Sequence, residues 1–283
     1  MSIDLIKQLR EETGVSVMEC KKALEKANND IEQAKIILKE EGLVNASKKS
    51  SRETKNGVIV SCVSPDGKNG AILELRCETD FVAKNEEFIQ LANNLVKEIL
   101  NQRPTDTTDL LAKTKESETI SDVIKGTIAK FGENIEIGQF NLLDTINGII
   151  VSYIHNGNKV GVLLQLDCAN GIDINNDSIK QLGKDIAMQI AAMNPQFVKA
   201  EDIPSNKLEF YKKEFEQDID MSKPEDIRNK ILEGKFTKKY EDICLLNQHF
   251  IKDDTKTIGD LLKAFNIQNN INITIAKFIR YQI

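Results

Sequence analysis

The chain has 283 residues and a formal net charge of -6, with 40% hydrophobic residues, 5% aromatic residues and no tryptophan. That length points to two or three domains whose cores are built mainly from Ile, Leu, Val and Ala. The acidic balance argues against a general nucleic-acid binder, which needs a basic field. No apolar run approaches the ~20 residues needed to cross a bilayer, and Met1 to Arg10 lacks an apolar leader, so the expected location is the cytoplasm, away from membranes. The five cysteines are scattered without a C-x-x-C pair and there are only two histidines, which reads as reduced, mostly buried thiols with no metal site.

Residues 1–43 read as a three-helix domain. Ile3, Ile6 and Leu9 form one apolar face, and Thr13-Gly14 ends that helix. Ser16-Val17-Met18-Glu19 is a capping box that opens a second helix, and Asn29-Asp30 opens a third that Gly42 is expected to stop. Residues 44–56 carry Lys48, Lys49, Arg52 and Lys55 against Glu53, without an apolar period, and read as a basic linker.

A pattern then appears twice. Gly57–Val63 and Ala71–Cys77 are strands around the turn Pro65-Asp66-Gly67, followed by a helix from Asp80 with Phe81, Phe88, Leu91, Leu95 and Ile99 on one side. About 90 residues later, Gly148–Ile154 and Val160–Leu166 flank His155–Asn158 and lead into a helix with Ile179, Leu182, Ile186 and Ile190. Each unit closes on a helix and a returning strand: Ile120–Phe131 with Ile135–Leu143, and Thr257–Phe265 with Ile271–Tyr281. The fold class expected is α+β. It comprises core subdomains over 57–146 and over 147–200 with 241–283, each with a three-stranded antiparallel sheet plus helices.

The second unit is interrupted at 201–240. Lys207–Asp220 carries Leu208, Tyr211, Phe215 and Ile219, and Ser222–Glu225 reads as a capping box before a helix with Ile227, Ile231 and Leu232 that Gly234 ends. Two such helices form a protruding hairpin whose narrow apolar stripe invites a partner, often a second copy.

The sequence contains no G-x-x-x-x-G-K-[ST], no G-x-G-x-x-G after a strand, no H-E-x-x-H and no G-x-S-x-G, so nothing in it argues for an enzyme or a cofactor. Read as residues alone, Thr79 is an N-cap, Asp80 suits a helix N-terminus and Phe81 fits a core position. In the same way His155 is a polar turn residue, and Met18 and Phe131 fit core positions.

Thr79-Asp80-Phe81-Val82 nevertheless resembles the signature of the bacterial elongation factor Ts family. Gly14–Leu24, Gly132-Glu-Asn-Ile135, Ser152–Gly157, Ile186-Ala-Met188 and Pro195-Gln-Phe197 resemble further motifs of that family in register, so the likeness runs from about residue 3 to 281. The resemblance implies a ubiquitin-associated-like N-terminal domain, two related core subdomains and a dimerisation-type helical hairpin. It implies a guanine-nucleotide exchange factor for elongation factor Tu in translation elongation, which performs no covalent chemistry. Such a factor binds the GDP-bound and nucleotide-free partner, displaces Mg²⁺ and frees GDP so that GTP can enter. It further implies exchange residues Thr79, Asp80, Phe81 and Val82, and partner contacts at Arg10, Val17, Met18, Lys21, Phe131, His155 and Ile251. No direct nucleic-acid contact is expected, and a homodimer or a 2:2 complex through the hairpin fits the family. A ubiquitin-associated-like binding adaptor without exchange activity stands as the alternative reading.

Overall fold

The computed structural model describes residues 2–115, 117–155, 157–168, 176–220 and 222–283, with residues 43–47 as backbone alone. The chain opens with α1 (Ile3–Thr13), α2 (Val17–Lys26) and α3 (Ile31–Lys49). Ser2, Ser16 and Asp30 each accept a backbone N–H of the first turn, which satisfies donors that the helix itself leaves unpaired. The Ser16 hydroxyl also donates to the Glu19 carboxylate. Gly14 takes the left-handed conformation (φ +68°) and donates its N–H to the Arg10 carbonyl, ending α1. Leu9, Cys20, Ala23, Leu24, Ala34 and Leu38 form the bundle core.

α3 does not stop at Gly42. It runs on to Lys49, into the stretch that the sequence reads as a linker. Gly42 lies against Ala129, and a Cβ there would stand 2.8 Å from the Ala129 methyl. The glycine therefore serves close helix packing, and tertiary contact overrides its low helix propensity.

The first α+β unit comprises β1 (Asn56–Val63), β2 (Asn69–Cys77), α4 (Asp80–Ala83), α5 (Glu86–Gln102), α6 (Thr107–Ala112), β3 (Thr114–Lys115), β4 (Glu118–Thr119), α7 (Ile120–Phe131) and β5 (Ile135–Asp144). The second comprises β6 (Gly148–Ile154), β7 (Val160–Cys168), α8 (Asp177–Met193), α9 (Ser205–Gln217), α10 (Glu225–Ile243), β8 (His249–Phe250), β9 (Asp253–Thr257), α11 (Ile258–Asn269) and β10 (Ile273–Gln282). In each unit the second strand of the hairpin is central: β2 pairs antiparallel with β1 and β5, and β7 pairs antiparallel with β6 and β10. The repeat expected from the sequence is thus repeated in topology.

Side-chain alternation explains how the two units join. Val58, Val60, Leu73 and Leu75 face α5, whereas Ile59 and Ile72 point the other way. Likewise Val162, Leu164 and Leu166 face α8, whereas Leu163 points away from it. The outward sets meet in a shared layer of Ile59, Ile72, Leu143, Ile150, Leu163 and Tyr281, so the order through the molecule is helix, sheet, sheet, helix. Two glycines let the sheets approach: a Cβ at Gly70 would come within 2.6 Å of Ile150, and one at Gly161 within 2.4 Å of Ile59. Burying each large apolar side chain stabilises by about 1.5–3 kcal/mol, so the six of this layer contribute at most about 18 kcal/mol.

The helices differ from expectation in three further places. The helix read as starting at Asp80 is two elements, because the Asn85 side chain accepts the Glu87 N–H at 2.8 Å and restarts the chain as α5. The expected capping box at Ser222 is absent: the Ser222 hydroxyl donates to Asp220, and Pro224 opens α10 without a side-chain cap. α10 then continues through Gly234 to Ile243, since a longer apolar seam against α9 holds it. In that seam Leu208, Tyr211, Phe215, Phe236 and Tyr240 pack together, with the Phe215 and Phe236 rings edge to face at 5.2 Å. The stripe expected to await a partner is therefore largely used within the hairpin itself.

Candidate functional site

The turn between β2 and α5 is held from two directions. Val82 and Ala83 are buried in the first core and fix its inner side. Outside, Thr79 caps α4 by accepting the Val82 N–H at 3.5 Å, a long bond. Its hydroxyl donates to Glu133 Oε1 at 2.6 Å and its backbone N–H to Glu133 Oε2 at 3.0 Å. The neighbouring pair runs the other way, with the Asn134 N–H donating to Glu78 Oε1 at 2.6 Å. Asn134 also donates from its side chain to the Arg52 carbonyl, and Asn56 to the Glu78 carbonyl. Arg52, read as part of a linker, is thereby tied into the site.

On this platform Phe81 is 82% exposed, which excludes the core role its spacing allowed. The Asp80 carboxylate meets the Lys84 ammonium at 2.7 Å. The Lys84 hydrogen bond and charge, with a smaller contribution from Lys159, hold the Asp80 carboxyl below the usual aspartate range.

Lys159 comes from the second unit. In the turn after β6, the Asn158 carbonyl accepts the Ile59 N–H at 2.8 Å and Lys159 Nζ donates to the Gly57 carbonyl at 3.1 Å. Gly57 lies opposite Arg76, and Asn56 opposite Cys77, so this turn sits where β2 runs out towards Thr79. His155 is exposed there, and the Tyr153 hydroxyl is 3.1 Å from its Nδ1. Asn156, in the same expected turn motif, lies outside the described residues.

A third element approaches through Lys130. Its ammonium pairs with Glu87 in the first turn of α5 at 2.5 Å, and its side chain lies beside Gly14 in the loop that leads into α2. On that bundle Arg10, Val17, Met18 and Lys21 are all exposed. Met18 is 62% exposed and does not take the core position that helical spacing allowed. Phe131 is half-buried against the first core, so its ring serves packing. Ile251 is exposed on the second unit, where its N–H donates to Gln189 Oε1 at 2.9 Å. Among the described residues no hydrogen bond or ion pair links Ile251 to the Phe81 turn.

Glu78, Glu133, Lys130 and Lys159 were not singled out as site residues in the sequence. Glu133 sits in the Gly132-Glu-Asn-Ile135 motif, which was the available signal. No group of three or more His, Cys, Asp or Glu side chains among the described residues is placed to hold a metal ion. No helix there is long and apolar enough to cross a membrane.

Comparison with known proteins bears on this arrangement. A family model described as Elongation factor TS matches residues 78–283, from Glu78 in the clamped turn to the end of the chain. The chain belongs to the elongation factor Ts family. A protein named Elongation factor Ts from Aquifex aeolicus is 42% identical over 292 residues, covering 100% of this chain and 98% of its own length. Proteins of the same name from Clostridium kluyveri and Clostridium botulinum (strain Eklund 17B) are 39% and 38% identical, each covering 100% of this chain and 92% of their own lengths. The elongation factor Ts likeness therefore takes in the N-terminal bundle as well as the two α+β units.

Proposed function

We propose that this chain is the guanine-nucleotide exchange factor for elongation factor Tu in translation elongation. The observation that carries the reading is Phe81, a large apolar side chain left in solvent at the tip of a braced turn. Such a residue has no use within its own fold. It suits insertion between elements of a partner.

The exchange reaction needs no covalent step. A GTPase holds GDP through its phosphate-binding loop and through Mg²⁺, which neutralises phosphate charge. A factor that stabilises the form lacking nucleotide and Mg²⁺ weakens nucleotide affinity by the same factor, because coupling between two bound species is reciprocal. In this reading Phe81 wedges between helices of elongation factor Tu, and Asp80 beside it disturbs the water shell of the metal. Thr79 and Val82 hold the pair in place. His155, with Tyr153 behind it, touches the phosphate-loop side. Arg10, Val17, Met18 and Lys21 supply a separate docking face on the bundle, and Ile251 a peripheral contact. Phe131 supports the surface from within. A second copy of the chain at the hairpin would seat on Phe210 and Ile227, which remain exposed there.

The test is stopped-flow release of a fluorescent GDP from elongation factor Tu. The native chain is expected to accelerate release strongly, and Phe81→Ala to lose at least about tenfold of that gain while still folding, since its side chain buries little. A native chain that binds elongation factor Tu and leaves the release rate unchanged would reduce the protein to a plain binding adaptor.

A further inference from the structure

We infer that Glu133 is the positioning residue for Phe81, acting through Thr79, and that Glu78 and Asn134 complete the device. The inference rests on the exchange reading above for its consequence in catalysis, and on geometry alone for the positioning itself.

α4 has only four residues, Asp80–Ala83. Two backbone bonds close it, from the Ala83 N–H to the Thr79 carbonyl at 3.3 Å and from the Lys84 N–H to the Asp80 carbonyl at 3.1 Å, too few for an isolated turn to persist by itself. Its own cap is weak, because the Thr79 hydroxyl accepts the Val82 N–H at 3.5 Å. That hydroxyl is free to rotate unless its proton is directed. Glu133 directs it: Oε1 takes the hydroxyl proton at 2.6 Å, which leaves the oxygen lone pairs facing Val82. Oε2 takes the Thr79 N–H at 3.0 Å, so both carboxylate oxygens bear on the residue that precedes Asp80 and Phe81. Hydrogen bonds to an ionised carboxylate are stronger than neutral ones.

The reverse bond makes this a closed clamp. Glu78 Oε1 accepts the Asn134 N–H at 2.6 Å, so residues 78–79 and 133–134 exchange bonds in both directions. Asn134 is itself buried and held to the Arg52 carbonyl at 2.9 Å. The clamp thus anchors the exposed turn to the junction of α7 and β5 in the first unit. Val82 and Ala83 fasten the inner side of α4, but the direction in which Phe81 leaves the surface depends on the dihedrals just before it. Those are the ones that Glu133 restrains.

Glu133→Ala, Glu133→Gln, Phe81→Ala and the Phe81→Ala, Glu133→Ala double variant test the assignment in the full chain. Amide hydrogen exchange of residues 78–83 and the saturating rate of fluorescent GDP release from elongation factor Tu are the two readouts. Glu133→Ala is expected to speed amide exchange in 78–83 at least about tenfold and to lower the saturating release rate by about tenfold, because small misplacements of a positioned group cost such factors. Glu133→Gln, which keeps one oxygen acceptor, is expected to recover part of both. In the Phe81→Ala background Glu133→Ala should change the release rate less than about twofold, since the group being positioned is gone. Unchanged amide exchange in Glu133→Ala would overturn the assignment, as would equal losses with and without Phe81. If Phe81→Ala leaves release unaltered, the exchange reading fails, and amide exchange still decides the positioning role.

Discussion

Lys130 on α7 meets Glu87 on α5 at 2.5 Å while the stem of the same lysine lies against Gly14. One side chain thus touches the N-terminal bundle, the last turn of α7 and the element that follows the Phe81 turn. Gly14 adopts φ +68°, and a Cβ there would stand 2.4 Å from Lys130 Cε. Gly14→Ala is therefore expected to destabilise the protein by about 1–2 kcal/mol, chiefly from the left-handed backbone. Lys130→Met, which keeps the stem and loses a partly exposed ion pair, should cost less than about 1 kcal/mol. Urea unfolding of the two variants separates these contributions.

The sheet-to-sheet layer predicts a second stability effect. A methyl at Gly161 would meet Ile59 at 2.4 Å and Ile154 at 2.8 Å. Gly161→Ala is expected to cost about 1–3 kcal/mol through overpacking. Because the glycine serves the contact between the units, the double variant with Ile59→Ala should lose less stability than the sum of the two single losses. Equilibrium unfolding of the single and double variants measures this directly.

In the opposite sense, Gly234 lies in the middle of α10, and a Cβ there would meet nothing within 4 Å. Gly234→Ala should stabilise the chain by about 0.5–1 kcal/mol, since glycine costs that much in an exposed helix interior. A raised melting temperature in a thermal scan, with the helical signal retained, is the expected result.

The Asp80 carboxyl titrates low because of the Lys84 hydrogen bond first and of nearby positive charge second. A group with a depressed native pKa stabilises the fold above its unfolded value, near 3.9, and that contribution disappears as pH falls through the native value. At neutral pH Asp80 is ionised in both states, so it adds no step to stability or to exchange near pH 7. Lys84→Gln should move the Asp80 titration up towards the ordinary aspartate range, as followed by carboxyl carbon NMR.

The strands and their pairing were readable because turn residues and alternation are local signals: Pro65-Asp66-Gly67 and the run Val58 to Val60 carry them within a few positions. The resemblance of Thr79–Val82 to a known signature also singled out the turn that is proposed as the site. What was not readable depends on contacts between distant residues. Phe81 shares a helical period with Phe88, and only the break at Asn85 turns it outward. Met18 also sits at a plausible core spacing, but the bundle closes on Cys20, Ala23 and Leu24 instead. α3 outlasts Gly42 because Ala129 packs there. Glu133 reaches Thr79 across 54 positions, a separation at which spacing carries no information.

The bonds from Asn158 and Lys159 to β1 and the apolar layer between the sheets hold the His155 turn at a set separation from the Phe81 turn. In the proposed contact with a partner, the molecule would act as a caliper rather than a tether. The entropy of bringing the two tips into register is lost when the chain folds, so little of it opposes association with a partner. A target surface whose own two contact points drift apart, as on a change of bound ligand, would lose one jaw at a time. On the proposed function, a single shape of this chain would then suit one state of the partner better than another.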